Sequence, residues 1–439
     1  MAHKHEIPSL DESFDFNPEL KKKLIFSAIL GVALVALGAF LISKHWSIGV
    51  WESAAHGAEH SGGEHVEGHH GATLFSRIVA NLWMNSVYFL GISVVGAFFL
   101  SYNYVAKAGW YVSFKRVPEA FPSFIIVPAA IILALYLIPT TREIIFHWTT
   151  PGIMEKGSAT YDKIIAGKSW YLNNGFFLAR IITYFVVWYY LWIQIRKNSL
   201  LEDQYGDLSY YHKSRNFSKM FLIFFAVTSS TAAWDLSMSI DSHWFSTMFG
   251  WYHLASWHVA GLSAMMLTII LLKEQGYLKA VKFSSIHDLG KLMFGFSVFW
   301  TYVWFSQFLL IFYANLPEET IYFRERFSGH DGRYFAPFLL NILLNFIFPF
   351  LILMARESKR NYTFLKLACG SILIGHWFDF YQMQMPGIAK NQGGIGIIEW
   401  GTTLTFASLF IYFVANQLSK SNLIAKNHPF LEESLHHDI

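Results

Sequence analysis

The run 24-LIFSAILGVALVALGAFLI-42 holds nineteen residues without a charge. A helix rises ~1.5 Å per residue, so this run matches the hydrocarbon thickness of a bilayer. The polar segment before it is too long for a secretory signal, and no small-residue cleavage pattern follows. It reads as a retained transmembrane helix. The remainder of the chain has the same character. Of 439 residues, 54% are hydrophobic, 18% aromatic and only 14% charged, against roughly 25% charged in soluble domains. This is the composition of an all-α polytopic membrane protein. A net charge of +3, with no basic run punctuated by aromatics, excludes a nucleic-acid binder.

Ten segments meet the length and apolarity of a span: 24–43, 83–105, 120–139, 175–195, 218–239, 247–272, 290–313, 335–355, 362–380 and 399–418. The last two are the least hydrophobic, since they carry His376, Asp379 and Glu399. Positive residues favour the cytoplasmic side. With the N-terminus inside, the inside segments and the adjoining span ends carry 22 lysines and arginines and the outside loops 10. Both termini are therefore expected in the cytoplasm. Residues 1–23 and 419–439 form cytoplasmic tails around a transmembrane domain spanning 24–418.

The first external loop, 52-ESAAHGAEHSGGEHVEGHHG-71, holds five histidines and four glutamates. Histidine tracts can bind metal, but Gly and Ser leave no fixed geometry here, so a solvated loop is the expectation. The other long external loops, 140–174 and 314–334, are long enough to dock an extrinsic subunit. The single cysteine, Cys369, permits no internal disulfide, no iron–sulfur cluster and no CxxCH haem attachment. No cofactor or metal is expected in this chain.

Ionisable groups inside spans cost ~2.5–3.5 kcal/mol each on insertion scales, and so point to function. The span boundaries place Arg180, Asp235, His253, His258, His376, Asp379 and Glu399 in the external half. The cytoplasmic half offers weaker groups: Gln194, Thr268, Ser297 and Thr301. Thr228, Thr231, Asp235 and Ser239 follow steps of three, four and four, which puts them on one helix face. They form a hydroxyl row running into a carboxylate, suited to a water chain. Alternatively the hydroxyls bond back to their own helix. Asp235 sits near a helix C-terminus, which disfavours an anion, so it is a candidate exchangeable proton carrier. Asp241, or Ser242, is placed to cap the sixth span. His376 and Asp379, three apart, share a face. His253 and His258, five apart, diverge by ~140° and cannot grip one ion together. Arg180 and Asp235 lie at similar depths in antiparallel spans, so Arg180 is expected to face the interior, near Asp235 or another polar group.

The stretch 234-WDLSMSIDSHWFSTMFGWYHLASWH-258 contains Trp234, Asp235, Asp241, His243 and Trp244. Its pattern W-D-x-x-M-S-x-D-x-H-W-F-S-T-x-F-G-x-Y resembles a signature of the F subunit (ActF) of bacterial alternative complex III, within the wider NrfD-like group. The span number and long external loops are similar along nearly the whole chain. The resemblance implies two four-helix bundles plus two peripheral helices in the bacterial inner membrane. It implies a respiratory complex that oxidises quinol and passes electrons to cytochrome c or a terminal oxidase. Haem c and iron–sulfur clusters would sit in periplasmic partner subunits, and the quinol site in a second NrfD-like subunit. The F-type subunit itself would be cofactor-free and contribute a proton path. Two other roles are compatible with the residues: a scaffold, in which Arg180–Asp235 and His376–Asp379 simply hold helices together, or a quinol-binding subunit.

Overall fold

The computed structural model describes residues 10–44, 49–50 and 73–438. It is all-α apart from a two-residue antiparallel pairing of Gly49–Val50 with Ile395–Gly396. Nine helical segments among the described residues are long and apolar enough to cross a membrane. They are α1 (Pro18–Ser43), α2 (Leu74–Ala106), α3 (Arg116–Leu137), α4 (Asn174–Tyr205), α5 (Leu208–Ile240), α6 (Met248–Glu274), α7 (Phe283–Ala314), α8 (Phe335–Met354) and α10 (Ile397–Leu418). Helix α9 (Tyr362–Ala389) is as long as these but more polar. The chain is a multi-pass membrane protein.

Local sequence explains the helix ends. Asn17 caps α1, with Pro18 and Glu19 in its first turn. Thr73 and Ser76 form a reciprocal capping box for α2. Between α4 and α5, Gly206 closes one helix in a left-handed conformation and Asp207 caps the next. These two residues make the α4–α5 hairpin tight.

Most of the helices run further than their apolar runs. Helix α2 begins at Leu74 instead of 83, because Arg77 and Asn81 are satisfied inside the protein. Helix α4 continues to Tyr205. Helix α9 continues nine residues past 380, since Gln382 donates to the Tyr334 carbonyl at 2.6 Å and Gln384 to Ser237 at 2.9 Å. Pro386 in its last turns cannot donate to the Gln382 carbonyl. Arg326 supplies the missing donor at 2.8 Å.

Helix α2 is buried along most of its length and touches α3, α5, α6, α9 and α10. Around it, α4 packs on α5 and on α3. On the other side, α6 packs on α7 and α9, and α8 packs on α7 and α9. A Cβ at Gly91 of α2 would lie 1.7 Å from the Trp257 ring of α6, so glycine is what lets these two helices cross. Helix α1 is peripheral and rests mainly on α10, where Gly31 meets the Gly401 carbonyl. The two chain ends meet at one end of the molecule: the Leu423 amide donates to Glu12 at 2.7 Å, and Lys426 pairs with Asp11. The C-terminal segment is no loose tail, because Leu423, Ile424 and Ala425 are buried and Ser434 bonds the Ser113 amide.

Candidate functional site

The signature stretch forms the turn between α5 and α6. Asp235 lies at the end of α5, where it is completely buried. Arg180 of α4 grips it with two hydrogen bonds of 2.8 Å, and Tyr184 adds a third at 2.9 Å. The guanidinium also donates to the Tyr171 carbonyl and stacks 3.8 Å over the Tyr171 ring. Arg180 therefore faces the interior, as the depth argument expects. Every strong polar contact of this pair is made. A bidentate guanidinium of this kind fixes a carboxylate as an anion.

The hydroxyl row beside Asp235 takes the bland arrangement. Thr228, Thr231 and Ser239 donate to the carbonyls of Phe224, Val227 and Asp235 on their own helix segment. Thr228 additionally receives the Trp188 indole at 2.9 Å. No water chain is needed to satisfy them.

Asp241 is not a helix cap. Helix α6 starts at Met248, after Thr247, too far along for Asp241 to reach its free amides. Instead Asp241 lies 3.3 Å from Arg326, whose guanidinium stacks 3.4 Å over the Tyr322 ring. Trp244 stacks on the same ring at 4.0 Å. His243 is half exposed and meets Asp162 at 2.6 Å. Burial opposes ionisation of Asp162, but the Ile165 amide and His243 outweigh it and hold its carboxyl below the ordinary value. Trp234 is half-buried, and its indole nitrogen is buried without a hydrogen-bond partner.

The second carboxylate, Asp379, has different company. It sits ten residues before the end of α9, about 15 Å back along the helix axis. The expected span end at 380 put His376 and Asp379 in the outermost turns, and the longer helix moves both inward. Asp379 is completely buried and accepts hydrogen bonds from four neutral side chains. Tyr252 and Ser256 come from α6, Ser256 at 2.6 Å. Trp300 of α7 donates at 3.0 Å and Asn341 of α8 at 2.9 Å. All four helices of this half of the molecule thus converge on one carboxyl group. Its ion-pair partner among the described residues is His376, with Nδ1 at 3.5 Å and no hydrogen bond between them. Both ring nitrogens of His376 lack hydrogen-bond partners. Asn345, one turn beyond Asn341, donates to it at 2.5 Å and keeps its own carbonyl oxygen unpartnered. The helix widens there into a π turn over Leu343–Ile347, a feature found at functional sites.

The remaining candidates separate. His253 bonds Ser237 at 3.1 Å, and Ser237 also receives Gln384. His258 lies among Phe296, Phe98 and Tyr102, with both nitrogens unpartnered. The two histidines face different surroundings, consistent with their spacing. Glu399 is held by Arg77 through bonds of 2.8 and 2.7 Å, by Asn81 at 2.9 Å and by the Gly396 amide at 2.8 Å. It is as fully satisfied as Asp235. Among the described residues, no three His, Cys, Asp or Glu side chains converge as metal ligands. The histidine-rich loop 52–71 lies outside the described residues.

No family model matches this chain, and no curated protein matches it either.

The apolar pattern also hid a charged cluster at the end where the termini meet. Arg116 pairs with Glu119 and Asp203, and Ser199 donates to Glu119 at 2.6 Å. Lys115 lies 3.6 Å from Glu119 and 3.7 Å from Glu202, and Arg196 lies 3.7 Å from Glu119. This half therefore carries more than Gln194, Thr268, Ser297 and Thr301. Lys115, Arg116 and Arg196 read as loop charges because the spans seemed to begin at 120 and end at 195. The longer helices bring their acidic partners into the interior. Tyr252, Ser256, Asn341 and Asn345 were also missed, although polar residues at i and i+4 within a span are a signal of a shared interior face.

Proposed function

We propose that this chain is a subunit of a respiratory, quinol-oxidising membrane complex and that its Asp379–His376 site exchanges protons with the external side. The observation that supports the proton site is a buried carboxyl group held by four neutral donors, with a histidine at 3.5 Å in place of a lysine or arginine. A lone buried carboxylate is expensive, and a proton shared with a neighbouring imidazole relieves the cost. Such a proton can leave, whereas one on Asp235 would compete with Arg180. Tyr252 and Ser256 lie one to two turns from the start of α6, on the side of Asp241, which fits a route that opens near Asp241 and Arg326.

Membership of the complex rests on the signature around Trp234 to Tyr252. On this reading ten helices cross the bacterial inner membrane, α9 included, as two four-helix bundles with α1 and α10 peripheral. Both termini face the cytoplasm. Periplasmic haem c and iron–sulfur subunits and a second NrfD-like subunit are the partners, with a terminal oxidase as a further one, and lipids surround the whole. The chain itself holds no cofactor. A scaffold role is favoured only for Arg180–Asp235, Arg77–Glu399 and the Glu119 cluster, whose charges are paired.

The test is Asp379→Asn in the assembled complex. The expected result is intact assembly and quinol-to-acceptor electron transfer with diminished proton release. Unchanged proton stoichiometry in an intact variant removes Asp379 from the path.

A further inference from the structure

We propose that the cleft between α3, α4 and α10 binds the headgroup of an anionic phospholipid. The cleft encloses about 620 Å³ at the end of the molecule where the termini meet. Its walls are three helix faces. On α4, Tyr189, Ile193, Arg196 and Lys197 follow helical spacing along one stripe. On α10, Phe413 and Gln417 do the same, and Lys420 follows just past the helix end. Ile126 of α3 closes the third side.

Polarity is graded along these stripes. The cations Arg196, Lys197 and Lys420 cluster toward the chain ends, and Ile126, Ile193 and Phe413 continue toward the middle of the helices. An amphiphile with a negative head and apolar tails has the same gradient. Arg196 supplies the built element. It is only 5% exposed, and Nη2 is fixed by the Gln417 carbonyl at 3.1 Å. Nη1 lies 3.7 Å from Glu119 and has no hydrogen-bond acceptor. Arg196 lines the cleft, so a phosphate there would lie against this fixed guanidinium, with Lys197 and Lys420 adding charge. Ile126 and Ile193 are 49% and 38% exposed, which leaves apolar surface for acyl chains beside the head.

The experiment uses the full chain, purified in detergent and equilibrated with equal amounts of palmitoyl-oleoyl phosphatidylglycerol and palmitoyl-oleoyl phosphatidylcholine. Native mass spectrometry reads the lipid retained, and orthophosphate is added as a competitor. Phosphatidylglycerol should be retained in preference, and the double variant Lys197→Gln, Lys420→Gln should lower its retention about tenfold or more while leaving phosphatidylcholine unchanged. Both lysines lie on the surface, so circular dichroism should show the fold intact. Arg196→Gln should lower phosphatidylglycerol retention further, even where it also loosens the Glu119 cluster. Equal retention of the two lipids, or retention unaffected in the double variant, overturns the proposal. Displacement of the lipid by equimolar orthophosphate would make this a site for free phosphate, which also overturns it.

Discussion

Asp235 and Asp379 are both completely buried, yet they are solvated in opposite ways. Asp235 meets a guanidinium that cannot give up its proton under any physiological condition, and a tyrosine completes the set. Asp379 meets two hydroxyls, an indole and an amide, with an imidazole just outside hydrogen-bonding geometry. The first arrangement fixes a charge and joins α4 to α5. The second leaves open where the proton resides and draws α6, α7 and α8 around α9. Burial of a carboxyl group is thus no indication of its role. The identity of the partner decides.

Breaking the first pair should have the largest effect. Arg180→Met leaves Asp235 buried without its cation and should cost about 3–5 kcal/mol of stability. Thermal unfolding of the purified chain checks this, and a loss below about 1 kcal/mol would show that Asp235 does not depend on Arg180.

A histidine with no acidic neighbour sharpens the comparison from the other side. His428, in the C-terminal segment, is 4% exposed, and burial, with Lys115 and Arg116 nearby, pushes it down to about 2. It stays neutral when folded, but takes up a proton below ~6.5 once the segment detaches. The detached form then binds more protons, so stability falls as pH drops below that value. At pH 5 the loss should be about 2 kcal/mol, or 1.36 kcal/mol per pH unit. Hydrogen exchange of residues 423–435, corrected for intrinsic rates, should rise between pH 7 and 5, and His428→Phe should remove that dependence.

The smallest effect should come from trimming the donors of Asp379. Tyr252→Phe removes one neutral hydrogen bond and should cost about 1 kcal/mol. It should also slow proton release without altering electron transfer. A loss as large as that of Arg180→Met would mean that Tyr252 holds a fixed anion, and the contrast between the two sites would disappear.

The apolar runs made the spans legible, because twenty apolar residues have few other uses. The Arg180–Asp235 pairing was legible as well, since each lies four or five residues from the same end of two consecutive antiparallel spans. The rest depended on neighbours. Gln382 and Gln384 weakened the end of span nine by composition, yet their amides find partners on other segments and the helix continues. Asp379 gave no hint of Trp300 or Asn341, which arrive from helices far along the chain. Lys115, Arg116 and Arg196 looked like topology signals, because nothing local distinguishes a solvated loop cation from one buried against Glu119. Helices that are apolar almost all round do not reveal which face turns inward.

The central claim is that the exchangeable proton sits at Asp379 and not at Asp235. Infrared difference spectroscopy across a pH step, on the chain in lipid nanodiscs, addresses it directly through the carbonyl stretch of protonated carboxylic acids. The expected result is a pH-dependent band that Asp379→Asn abolishes, that His376→Gln shifts, and that Asp235→Asn leaves in place. A band that survives Asp379→Asn and vanishes with Asp235→Asn would contradict it.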